Sequence, residues 1–200
     1  MKTTALFLPF LCIGLVACNA EDKQSIVYVS GDGGIKLQHP EIVQRSTEFR
    51  GRALLQGGWR VVWDGSQIGE GREIVRLTLP ARAADGSALS EILQIGVSRD
   101  PSVITSCLSY GLNSGNGMHL PKANINGHDW TVYSNGDAGM SQSTKALNYR
   151  LLFDNACYAM DRISYAVRAA KAADNVLSEA DATKLMDGVK SSVEVMPTAH

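Results

Sequence analysis

Asn148-Tyr-Arg-Leu-Leu-Phe153, Asp154-Asn155-Ala156 and Cys157-Tyr-Ala-Met-Asp-Arg-Ile-Ser-Tyr-Ala-Val167 follow one another without a break. Two runs of aliphatic, aromatic and β-branched residues flank a short cluster that tolerates turn backbone, which predicts a β-hairpin. Leu152 and Tyr158 are expected among its buried positions.

The segments before the hairpin have the same composition. Ser25-Ile-Val-Tyr-Val-Ser30 reads as a short strand ended by the Gly31 to Gly34 cluster. Trp59-Arg-Val-Val-Trp63 reads as a strand stopped at Asp64-Gly65. Glu73-Ile-Val-Arg-Leu-Thr-Leu79 is a further strand, closed by Pro80. Alternation sets Ile74, Arg76 and Thr78 on one face and Val75, Leu77 and Leu79 on the other. Asp85-Gly86 marks a loop before the strand Glu91 to Val97. Asn126-Gly127 is a turn that leads into a strand reaching Tyr133. Gly111 to Gly117 and Ser134-Asn-Gly-Asp-Ala-Gly-Met140 are breaker clusters and read as loops. Pro40 opens a short predicted helix through Glu48. At the other end Ser178 reads as an N-cap with Asp181 three residues on. Ala182, Leu185, Met186, Val189 and Val193 then recur at helical spacing, with Leu185, Met186 and Val189 expected to face a sheet. The fold class is therefore α+β: a mainly antiparallel sheet with one or two helices packed on a face, one of them C-terminal.

The chain has 200 residues, enough to bury a core. Lys and Arg number 19 against 20 Asp and Glu, so the net charge is −1 and a nucleic-acid partner is not expected. Aromatics are 6%, which does not favour a stacking groove for bases or sugars.

The start of the chain is different in kind. Lys2 is followed by an apolar run from Ala5 to Ala17, too short to span a bilayer. It ends Leu15-Val16-Ala17-Cys18, which resembles the lipobox of bacterial lipoproteins. The resemblance implies a signal peptide at residues 1–17, cleavage before Cys18, and palmitate-type acylation of Cys18. More than one chain makes a stable anchor, so the membrane is one expected partner. In that family's sorting pattern Asp after the lipidated Cys retains a protein in the inner membrane. Asn19 departs from it, which implies the periplasmic face of the outer membrane. Residues 18–24 would be a tether and 25–200 one globular domain.

Four cysteines occur: Cys12, Cys18, Cys107 and Cys157. Cys12 leaves with the signal and Cys18 carries lipid. The remaining pair in an oxidising compartment is expected to form a disulfide. Closing a loop of that length is worth roughly 4 kcal/mol in the chain-entropy model. A metal site or a redox pair has no local support, because Cys-x-x-Cys is absent.

Candidate chemistry is sparse. His128-Asp129 invites a general-base reading with Ser134 or Ser141 as nucleophile, but neighbours in a strand point to opposite faces and no Gly-x-Ser-x-Gly elbow is present. His119 and His128 with Asp129 or Asp137 lack metal-motif spacing, and no glycine cluster has nucleotide-binding spacing, so no cofactor is expected. The Asn135 to Met140 stretch offers backbone freedom, a charge at Asp137 and a soft apolar contact at Met140, so Asn135, Asp137 and Met140 are the candidate binding residues.

The Trp59 strand, the turn at Asp137, the Tyr149 to Tyr165 hairpin with Cys157-Tyr158, and the closing helix together resemble uncharacterised envelope lipoproteins of Gram-negative bacteria. The resemblance covers residues 57–195, and some of those proteins have a PsbP-like α/β sandwich. It brings no catalytic residues. The expected function is protein binding at the envelope, as an inhibitor or immunity-type protein or as an accessory subunit, and not catalysis. The alternative is a periplasmic hydrolase.

Overall fold

The computed structural model describes residues 25–32, 34–49, 58–62, 69–109 and 117–198. The signal run, Cys18, the tether, the Asp64-Gly65 turn and nearly all of the Gly111 to Gly117 cluster lie outside them. The architecture is α+β. A large, mainly antiparallel sheet carries a helix on one face, and a small sheet sits beside that helix.

The hairpin at Asp154-Asn155 is the centre of the large sheet. β8 (Gln142–Phe153) and β9 (Ala156–Lys171) pair antiparallel from Phe153↔Ala156 to Gln142↔Val167. Asp154 and Asn155 both have positive φ, 51° and 50°, as a two-residue turn matched to strand twist requires. The same device joins β6 (Met118–Ile125) to β7 (His128–Ala138), where Asn126 and Gly127 have φ 47° and 84°. β4 (Arg72–Arg82) and β5 (Ser87–Ser98) meet at Asp85-Gly86, with the Asp85 carboxylate accepting from the Ser87 N–H at 2.9 Å. With the two-residue β10 (Leu177–Ser178) the order is β10-β4-β5-β9-β8-β7-β6. β3 (Gln44–Ser46) adds to β4.

One face of this sheet is apolar. Leu77, Leu79, Leu93, Ile95, Trp130 and Met160 join Ala182, Met186 and Val189 of α2 (Glu179–Ser191) in one core cluster. Ser178 caps α2, its hydroxyl accepting from the Asp181 N–H at 3.2 Å. The small sheet, in the order β1 (Ser25–Val29), β2 (Ile35–Pro40) and β11 (Glu194–Val195), seals the same core through Ile35, Leu37 and Val195. Leu185 is only partly buried, so the buried stripe of α2 is Ala182, Met186 and Val189. Met186→Ala is expected to cost about 2–5 kcal/mol in urea unfolding. Leu185→Ala should cost clearly less, and equal losses would contradict this packing.

The opposite face is covered by residues 58–62 and by the six-residue helix α1 (Pro101–Ser106). Asp100 caps α1 through its carboxylate. Cys107, just after α1, is bonded to Cys157 at the start of β9, with the Cα atoms 5.6 Å apart. Both cysteines are buried with Trp59, Val103 and Ala159.

Several expectations are corrected. Trp59 to Val62 is not a strand but an irregular segment lying across the sheet. Its backbone is satisfied by the sheet's side chains: the Val61 N–H donates to Asp161 Oδ2 at 2.7 Å. It lies close enough that a Cβ on Gly96 would stand 2.2 Å from the Trp59 carbonyl oxygen, so only glycine fits there. The helix expected from Pro40 to Glu48 is replaced by the end of β2, a turn and β3. Pro80 does not close its strand. β4 runs through it because β3 takes residues 76–78 and β10 takes 81–82, leaving residue 80 without a described partner on that side. Leu152 is exposed, on the side of β8 opposite Leu151, near the strand end. The Ser134 to Met140 cluster is strand as far as Ala138, with the turn at residues 139–141.

Candidate binding surface

Strand alternation separates the three candidate binding residues. Trp130 and Val132 of β7 enter the main core, so Thr131, Tyr133, Asn135 and Asp137 share the opposite face. Asn135 is buried there and belongs to a polar chain. Its Nδ2 donates to Asn148 Oδ1 at 2.8 Å, and Asn148 Nδ2 donates to Asp161 Oδ1 at 2.7 Å. Arg150 Nη1 reaches the same Asp161 oxygen at 2.6 Å. On the far side Gln94 Oε1 accepts from Arg76 Nη2 at 2.6 Å. Asn135 is therefore an interior residue tied to the sheet. This network escaped the sequence reading, although its signal was present: the hairpin register sets Asn148 opposite Asp161, and parity puts Arg150 on the same face.

Asp137 and Met140 are exposed, and Met140 is wholly so. The turn that carries Met140 is closed by the Gly139 N–H donating to the Gln142 carbonyl at 2.8 Å. It is also tied to β9, because the Arg168 N–H donates to the Ser141 carbonyl at 2.9 Å. That bond ties the turn to Arg168, which lines a groove on the α2 face of the sheet.

The groove has a volume of about 270 Å³. Lys145 and Arg168 line it from β8 and β9, and Asp85 and Glu179 from the β4–β5 turn and the start of α2. Leu89 supplies an apolar patch and Ser164 a hydroxyl. Ser164 faces Lys145 directly across the β8–β9 ladder. Its Oγ donates to Glu91 Oε1 at 2.7 Å. Glu91 is fully buried, and Arg162 Nη2 stands 3.1 Å from its other oxygen. Burial pushes the Glu91 carboxyl up, while Ser164 and Arg162 pull it back. Arg162 also reaches Asp187 of α2, with Nε to Oδ1 at 3.2 Å. The ion chain thus fastens α2 to the sheet beneath the groove.

The residues considered for catalysis or metal binding are apart. His128 Nε2 lies 3.1 Å from the Val195 carbonyl and its ring packs edge-on against Phe153. Asp129 instead accepts from Asn124 Nδ2 at 2.7 Å. His119 packs edge-on against Tyr133. Ser141 is in the Met140 turn and Ser134 is partly buried within β7. Among the described residues no cluster of three or more His, Cys, Asp or Glu side chains could hold a metal ion.

Comparison with protein-family models finds no match, and comparison with curated proteins finds none either. Solved structures with a similar fold include these three. LpqN of Mycobacterium tuberculosis, described as involved in cell envelope biogenesis, aligns at 10% identity and a TM-score of 0.43, over 87% of this chain and 91% of LpqN. A protein of Bacteroides thetaiotaomicron aligns at 9% identity and a TM-score of 0.41 over 85% of this chain. This chain spans 48% of the Bacteroides protein, about half its length. The cyanobacterial PsbP of Synechocystis aligns at 15% identity and a TM-score of 0.27, over 91% of this chain and 99% of that one. Scores this low transfer no residue role and no activity.

Proposed function

We propose that this protein is a lipid-anchored envelope lipoprotein on the periplasmic face of the outer membrane that works by binding a protein partner, as an inhibitor or accessory subunit. The observation that carries the reading is a groove whose cations and anions come from different elements, one of them, Arg168, bonded through its backbone to the turn that carries the fully exposed Met140. An exposed methionine on a turn held at both ends is a soft apolar probe on a rigid mount. Lys145 and Arg168 in the groove can meet a partner's carboxylates, while Asp85 and Glu179 meet its cations.

The groove's polar groups suit holding better than turnover. The Ser164 hydroxyl already donates its hydrogen bond to Glu91. The Asp85 carboxylate accepts from both the N–H and the hydroxyl of Ser87. His128 stands outside the groove's lining, with Nε2 3.1 Å from the Val195 carbonyl. The lipobox resemblance of Leu15 to Cys18, which implies cleavage before Cys18, supports the location.

Two variants test the reading. Cys18→Ala should leave an unprocessed precursor or a protein lost from the membrane fraction. Met140→Ala combined with Lys145→Ala, both at exposed positions, should weaken capture of a partner from solubilised membranes while unfolding stability stays within about 0.5 kcal/mol. Undiminished capture by the double variant would remove the groove from the reading. Hydrolysis of any substrate, lost in His128→Ala, would overturn the binding class.

A further inference from the structure

The edges of the two sheets are treated differently. β6, at one end of the large sheet, carries Pro121 and Lys122, and its pairing with β7 breaks register between Leu120 and Ala123. At the other end β10 has two residues, and β3 has three, one of them Arg45. Proline, a charge, an irregularity and shortness are the usual means of blunting a strand edge. β1 has none of them. Its five residues, Ser25-Ile-Val-Tyr-Val29, are uncharged, and among the described residues they pair on one side only, with β2.

This edge is both apolar and firmly held. Val27 is 53% exposed, Val29 51% and Ile26 36%. Tyr28 fixes the strand to the body of the protein: its hydroxyl donates to the Ile74 carbonyl at 3.1 Å, and Arg45 lies over its ring at 5.2 Å. A rigid, uncharged, apolar edge is suited to strand addition, in which backbone hydrogen bonds give affinity and alternate side chains give register.

We propose that the occupant is β1 of a second copy of this chain, paired antiparallel about a two-fold axis at Val27. The pairing is self-complementary. Val27 meets Val27, Ile26 meets Tyr28, and Ser25 meets Val29, so no like charges oppose one another across the axis. The two small sheets, each ordered β1-β2-β11, become one continuous six-stranded sheet. A seven-residue tether reaches about 25 Å, and antiparallel copies hold their Ser25 residues roughly 13 Å apart, so both anchors reach one bilayer. Confinement to that surface raises the effective concentration, which a five-residue interface needs. This last point rests on the anchoring proposed above; the pairing itself does not.

The test uses the full chain in membranes, with Cys18 intact, under mild oxidation. Val27→Cys should give a disulfide-linked dimer, because the two positions face each other. Val29→Cys alone should not, and Ser25→Cys with Val29→Cys in one chain should. Val27→Lys should abolish crosslinking of the Ser25→Cys and Val29→Cys pair while leaving partner capture through the charged groove intact, which separates failure here from failure of the proposed function. A Val27→Cys chain that takes up maleimide but stays monomeric would overturn the proposal. So would equal crosslinking by Val29→Cys alone, or an adduct with a different protein.

Discussion

Asp161→Ala should destabilise the fold by about 3–5 kcal/mol, the usual cost of stranding one member of a buried ion pair. The Arg150 and Asp161 side chains are 1% and 0% exposed and meet at 2.6 Å. Asp161 is the hub of its surroundings: it also accepts from Asn148 Nδ2 and from the Val61 N–H, both at 2.7 Å. Removing it leaves a guanidinium, an amide and a backbone donor with fewer acceptors where water has little access. The Val61 bond is what fastens residues 58–62 to the sheet, so that segment should loosen first. Amide exchange at Val61 and urea unfolding read the two effects separately. A double variant, Arg150→Met with Asp161→Leu, should lose less than Asp161→Ala alone, because no charge is left unpaired. A cost for Asp161→Ala within about 0.5 kcal/mol of zero, the range of ordinary surface changes, would show that the pair is not buried in solution.

The second large effect concerns Cys107 and Cys157. Replacing both by Ala should cost about 2–5 kcal/mol, since a long loop is released in the unfolded chain. The sequence separation of the bridge is 50 residues. For a chain of this size each kcal/mol is worth roughly 2–4 °C in Tm, so a drop on the order of 10 °C is expected in a thermal scan. Both sulfurs lie in the cluster with Trp59, Val103 and Ala159, so part of the loss should appear as weaker docking of α1 and of residues 58–62. Reducing agent should lower the stability of the natural chain and leave the Ala pair unaffected. Identical melting of the natural chain with and without reductant would show that the bridge does not form.

Much of the fold was legible because it is decided by neighbours in sequence. Asp154-Asn155 marks a hairpin, Asn126-Gly127 a turn and Asp85-Gly86 a loop, because left-handed backbone is cheap at Asn, Asp and Gly. Ser178 and the apolar stripe after it predict α2 from hydrogen-bond capping and a 3.6-residue period. The candidate surface was legible only in part. Met140 and Asp137 are exposed as expected, but Asn135, two residues before Asp137, is interior. Lys145, Arg168, Asp85 and Glu179 come from four separate elements, and no spacing along the chain joins them.

The misreadings share a cause. Trp59 to Val62 has strand composition, yet it lies across a sheet instead of within one. β-propensity measures fit to a buried, pleated surface, and a segment can meet that condition by covering a sheet as well as by joining it. Ser134 to Ala138 has loop composition, yet β8 supplies a ladder partner to each residue from Ser134 to Ala138. Pro80 reads as a stop, but its missing N–H costs nothing where no described strand stands beside it. By itself the sequence determined where the chain turns, where α2 begins and that antiparallel strands build the core, because φ preference, capping and side-chain period act over a few residues. The tertiary structure alone decided which strands lie side by side, that Asp161 gathers Arg150, Asn148 and the Val61 backbone, and that Arg168 of a charged groove is bonded to the Met140 turn. Those contacts join residues far apart in sequence, and their energies exist only once the sheet has brought the groups out of water and within hydrogen-bonding distance.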